Sequence, residues 1–118
     1  MGGHHMTTIS PLQLAEKLGL KILSAGEGAD RTIQGIYCCD LLSIVMGRAK
    51  NNDAWITVMS NINVIACGVL ADVSCIIISE NIPVEEEVIQ KAKTQNVCLL
   101  HSELPTFELS AKIAELLQ

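Results

Sequence analysis

The sequence predicts an α/β fold, a single domain built on a mostly parallel or mixed sheet of about five strands with helices on its faces. Three observations carry this. Strand-like runs alternate with helix-like runs along most of the chain, the order that parallel sheets with covering helices produce. The stretch around Asp30, Arg31, Gly35, Ile36, Tyr37, Cys38, Cys39 and Asp40 reads as turn, apolar strand and polar strand end, with a helix starting at Leu41. A length of 118 residues without low-complexity runs suffices for one core.

Each element has a local reason. Ser10 and Pro11 give an N-cap and first helical position, Leu12, Leu14, Ala15 and Leu18 the helical spacing, and Gly19 the stop. A short strand is expected over 20–23, a glycine-containing loop over 24–32, a strand over 33–39 and a second helix over 41–49. Asn51, Asn52 and Asp53 turn the chain into a β-branched strand over 54–59. Its Trp55 is expected in the core, where roughly 200 Å² of burial at about 25 cal/mol per Å² stabilises by several kcal/mol. Asn61 or Asn63 caps a third helix over 64–72, which carries no charge until its end. A strand over 75–78, a helix over 83–95, a strand over 97–100 and a helix over 106–117 complete the pattern. Glu85, Glu86 and Glu87 suit the positive end of the fourth helix, and Lys91 and Lys93 its negative end.

Composition narrows the function classes. Hydrophobic residues make up 49% and charged residues 18%, an apolar surplus for a small domain, so a second subunit or larger assembly is expected to cover part of the surface. The surplus is concentrated in the third helix, and Val64, Ile65 and Val69 are the expected dimer interface. A net charge of -5 with scattered Lys and Arg argues against nucleic acid. The run 62–79 approaches membrane-spanning length, but Asp72 interrupts it and a strand closes it, so no membrane span is expected. Cys38, Cys39, Cys67, Cys75 and Cys98 are odd in number, without a C-x-x-C pair, and suit a reducing cytoplasm. Residues 1–5 read as a cloning remnant, which removes His4 and His5 from any metal argument and leaves one domain over 6–118.

In parallel sheets ligands settle beyond the carboxyl ends of strands. The expected strand ends put Asp40, Ser60 with Asn61 and Asn63, Ser79 with Glu80, and His101 with Ser102 on one edge, either as a ligand-binding rim or as caps for the helices that follow. Asp30 and Arg31 either clamp a phosphate or tie their loop to a neighbouring carboxylate. His101 is a candidate acid-base group and also an ordinary structural histidine. Cys39 beside Asp40 is a candidate nucleophile, yet no adjacent cation or base lowers its thiol pKa. Cys38 and Cys39 point to opposite faces of a strand and cannot share a zinc ion, so no metal is expected. Neither G-x-x-x-x-G-K-[ST] nor G-x-G-x-x-G occurs, which removes P-loop and dinucleotide enzymes.

Ala29, Asp30 and Arg31, Gly35, Asp40 to Ser43, Met46 to Lys50, Asp53 to Thr57 and Asn63 together resemble the DRTGG domain family over nearly the whole native chain. Gln34 and Ile36 depart from the family's name pattern, and Asn61 stands where a His often does. The resemblance implies a fold similar to the N-terminal domain of HPr kinase/phosphorylase, in a stand-alone copy. The family is usually fused to CBS pairs, phosphotransacetylases or cobyrinic-acid-synthase-like domains, which implies a regulatory, dimer-forming module; separately, no cofactor is expected. Stand-alone copies resemble accessory proteins, some encoded near iron-only hydrogenase components, which implies a redox or metabolic protein partner.

The leading expectation is a non-catalytic, homodimeric regulatory or adaptor domain sensing a small anionic ligand such as a nucleotide. Two alternatives stand beside it: a small cysteine-dependent enzyme using Cys39 with Asp40 or His101, and a scaffold subunit of a larger redox or metabolic complex.

Overall fold

The computed structural model describes residues 8–118, so the reading of 1–5 as a cloning remnant lies outside the described residues. The elements run α1 (Pro11–Leu18), β1 (Lys21–Ser24), a one-turn 3-10 helix (Glu27–Asp30), β2 (Gly35–Cys38), α2 (Leu42–Arg48), β3 (Asp53–Thr57), α3 (Ile62–Ala71), β4 (Cys75–Ile78), α4 (Glu86–Thr94), β5 (Leu99–His101) and α5 (Thr106–Leu116). One five-stranded sheet has the order β1-β5-β4-β3-β2, with β2 to β5 parallel and β1 antiparallel to β5. The sheet is therefore mixed, with the reversed strand at one edge.

Register sorts the core into two layers. Tyr37, Trp55, Ile76 and Leu99 stand side by side across the parallel strands, and this row packs with Val45, Val64, Ile65 and Val88 from α2, α3 and α4. The alternate positions Ile56, Ile77 and Leu100 pack with Leu14 of α1 and Leu109 and Ile113 of α5 on the other side. All of β4 and the stretch Ala54, Trp55 and Ile56 of β3 are fully buried, as strands covered on both faces require.

Local signals act where the sequence places them. Ser10 accepts from the Gln13 N–H while Gln13 reaches back to the Ser10 N–H, and Gly19 closes α1 in the left-handed region at φ 67°. Asn61 caps α3 through the Asn63 N–H at 2.9 Å. Several boundaries differ from expectation, among them α3, which runs Ile62–Ala71 instead of 64–72, and β5, which is Leu99–His101 instead of 97–100. The strand expected over 33–39 is only Gly35–Cys38, because Ile33 is a buried loop residue whose N–H bonds to the Ile9 carbonyl. The helix expected from Pro83 begins at Glu86, after an extended Glu85 at ψ 152°. The first strand is shifted by one residue, which buries Ser24 and lets its hydroxyl donate to the Val97 carbonyl at 2.8 Å.

The third helix needs a larger correction. Val64 and Ile65 are 1% and 0% exposed and pack against the sheet, so of the three expected interface residues only Val69 faces outward. The apolar surplus is divided: Val64, Ile65, Cys67 and Gly68 face inward, while Ile62, Val69 and Leu70 remain exposed, Leu70 at 70%.

Gly28 shows how tightly the layers meet, since a Cβ there would collide with the Ser74 carbonyl oxygen and press on Cys98. Gly28→Ala should destabilise the fold by about 1–3 kcal/mol, the usual cost of overpacking. Urea unfolding should show the midpoint falling with an unchanged slope.

Candidate functional site

The parallel strands deliver their carboxyl ends to one edge of the sheet, where α2, α3, α4 and α5 begin. Most rim side chains there hold backbone. Asp40 Oδ1 accepts from the Thr57 hydroxyl at 2.8 Å and the Val58 N–H at 3.0 Å, tying the end of β2 to the end of β3. Thr57 Oγ1 in turn accepts from the Met59 N–H at 3.2 Å. Glu80 Oε2 accepts from the Thr106 N–H at 2.7 Å, so this carboxylate caps α5 from outside the helix, and Ser79 shares a 2.7 Å bond with the Thr106 hydroxyl. Ser102 Oγ accepts from the Leu104 N–H at 3.0 Å. Ser60 is half-buried and Asn63 exposed beside the Asn61 cap.

Asp30 and Arg31 lie at the opposite edge. Arg31 Nε donates to Asn52 Oδ1 at 2.7 Å, Nη2 to the Asp72 carbonyl at 3.1 Å and Nη1 to the Val73 carbonyl at 3.3 Å, and its guanidinium pairs with the Asp72 carboxylate at 3.1 Å. The guanidinium thus ties its loop to the Asp72 carboxylate and clasps the carboxyl end of α3. Asp72 is left-handed at φ 56°, a turn that aims its carbonyl at the guanidinium. Asp30 is exposed beside Ser10 and Gln13.

Strand order separates the candidate enzyme groups. Cys39 follows β2 and His101 ends β5, three strand spacings or about 14 Å apart at ~4.8 Å each, too far for a nucleophile–base pair. The Cys39 thiol lies 3.9 Å from the Leu41 carbonyl, while its own carbonyl accepts from Trp55 Nε1 at 2.9 Å. Cys38 is exposed and meets the Ser110 hydroxyl at 3.2 Å. Cys75 in β4 and Cys98 just before β5 are buried; burial pushes the Cys98 thiol up to about 12, and burial, then the neighbouring Cys98, hold Cys75 well above the ordinary thiol value. Cys67 is also raised by burial.

Sequence reasoning missed three participants at the rim. Thr57 and Thr106 work as hydroxyl partners of Asp40 and Ser79. Lys21 reaches this edge because β1 runs backwards, which puts it opposite His101. Only the strand direction could have shown that. Among the described residues no three His, Cys, Asp or Glu side chains gather as a metal site, and no helix is long and apolar enough to cross a membrane.

The fold and the family agree. The model of the DRTGG domain matches residues 13–116, and the chain belongs to that family. Among solved structures the chain is similar to the CBS and DRTGG domains of the regulatory region of Clostridium perfringens pyrophosphatase, which was solved with its activator diadenosine tetraphosphate. The likeness has a TM-score of 0.71 at 17% identity and covers 88% of this chain and 45% of that one, so it shows the fold alone, and this chain spans less than half the length of that one. No curated protein matches the sequence.

The buried thiols give a pH test. Unfolded thiols ionise near the ordinary value of 9.0, whereas native Cys98 holds its proton to about 12. A raised native pKa contributes stability that is complete below the unfolded value and is lost as pH climbs through the native one. Urea midpoints should therefore fall between pH 9 and 12, and Cys75→Ala with Cys98→Ala should make that decline shallower.

Proposed function

We propose that this chain is a non-catalytic regulatory or adaptor domain that pairs with a second copy through the outer stripe of α3 and senses a small anionic ligand such as a nucleotide. The observation that carries the reading is that stripe. Ile62, Ala66, Val69 and Leu70 recur at helical spacing on the exposed side of a helix without a charged residue, and Leu41, the N-cap of the adjoining α2, and Ile44 and Met46 within it are exposed as well. A non-catalytic role is supported by the occupation of the rim: the Asp40 and Glu80 carboxylates are engaged with backbone N–H groups. The regulatory part is supported by membership of the DRTGG family and by the setting of the similar domain, which lies in the regulatory region of a pyrophosphatase.

The pairing test uses exposed positions, so folding is preserved. Light scattering of the native sequence at tens of micromolar should give a dimer, since a standard interface of about 1,600 Å² persists at that concentration. Leu70→Glu and Val69→Glu should give monomers with unchanged circular dichroism. A monomeric native protein would sink the pairing. Thermal-shift screening with nucleotides, acyl phosphates and CoA derivatives should raise the melting point for at least one compound, because a ligand that binds only the folded form stabilises it.

A further inference from the structure

At the β1–β5 end of the carboxyl edge, under the segment leading into α4, lies a pocket of about 190 Å³ lined by Lys21, Leu23, Pro83, Val84, Ile89 and His101. Lys21 and His101 are direct partners in the antiparallel register, so their side chains leave the same face of the sheet, the face that α4 covers. Neither side chain makes a hydrogen bond or ion pair with the described residues, in contrast to Asp40, Glu80 and Ser102 along the same edge. The carboxylates of Glu85, Glu86 and Glu87, close in sequence, are absent from the lining, which holds one cation, one imidazole and four apolar side chains. The volume corresponds to about six waters at ~30 Å³ each, room for an anionic group and a few carbon atoms.

We infer that this pocket is the anion site of the proposed sensing function, and that it receives the phosphate end of a small phosphorylated molecule. The inference rests on the sensing reading above and gives it a place and a ligand class. Lys21 and His101 line the pocket from two neighbouring strands, and a phosphate has enough oxygens to accept from both an ammonium and an imidazole N–H. Leu23, Val84 and Ile89 cover the carbon atoms next to the phosphate ester, which favours an ester over the free ion.

The test is an amide-shift titration of the full chain with AMP, using adenosine as the uncharged control. AMP should move the amides of Lys21, Leu23, Val84, Ile89 and His101, and adenosine should not. Lys21→Ala and His101→Gln should each weaken AMP binding by about tenfold, the value of one charge-assisted hydrogen bond. Both side chains reach solvent, and unchanged thermal unfolding without ligand will confirm intact variants; Lys21→Glu, which reverses the charge, should abolish binding. AMP binding with shifts confined to the Asp40 and Ser60 end, and undiminished in the variants, would overturn the pocket while leaving the sensing reading standing. No response to AMP, and none to any compound in the thermal-shift screen, would overturn both.

Discussion

Central strands with no face available to water impose the architecture. Every residue of β4 is fully buried, as are Ala54, Trp55 and Ile56 of β3, and no residue in these runs alternates toward solvent. Such strands are stable only between two layers of helices. Parallel neighbours need crossovers, and crossovers of one hand along the monotone order β2-β3-β4-β5 put α2, α3 and α4 on one face. That leaves the opposite face bare, and α1 and α5 cover it. The same arithmetic sends the carboxyl end of every parallel strand to one edge, with the amino ends of four helices beside it.

An edge of that kind has a competing demand on each polar side chain. First-turn N–H groups of a helix need acceptors, and a Ser, Asn, Asp or Glu that supplies one has fewer lone pairs for a ligand. Asp40, Asn61, Glu80 and Ser102 are all committed to backbone. The β1–β5 end escapes because β1 is antiparallel and is followed by no helix at this edge. Its first residue, rather than its last, arrives there, and the Lys21 side chain makes no hydrogen bond or ion pair with the described residues. Among the described residues of the rim, that end alone combines a cation, an imidazole and apolar walls.

Elements with strong local chemistry were legible in the sequence. Ser10, Pro11 and Gly19 marked both ends of α1, Asn61 or Asn63 was read as the cap of α3 and Asn61 is the one that caps it, and the β-branched run around Ile56 marked β3. The α/β class followed from alternation alone. What could not be read depended on partners distant along the chain. Whether Asp40 caps or binds depends on a hydroxyl at Thr57, and whether Arg31 clamps a phosphate depends on the approach of Asn52 and Asp72. Val64 and Ile65 looked like interface residues for the same reason: an uncharged helix gives no sign of which side is covered until its rotation against the sheet is known. The direction of β1 was equally hidden, and with it the place of Lys21.

Arg31 connects the family's hallmark segment to the proposed pairing surface. The exposed ion pair with Asp72 contributes little by itself, because solvent screens it. The bonds to the Asp72 and Val73 carbonyls and to Asn52 matter more, since they satisfy the end of α3 and join it to the loop before β2 and the turn before β3. Gly28 leaves no slack in that loop, because its backbone lies directly against Ser74. The helix whose outer side carries Val69 and Leu70 is therefore held at its carboxyl end by Arg31 and at its amino end by the Asn61 cap. A seam formed on a helix fixed at both ends costs little ordering on association, which is the condition under which a modest apolar stripe can hold two copies together.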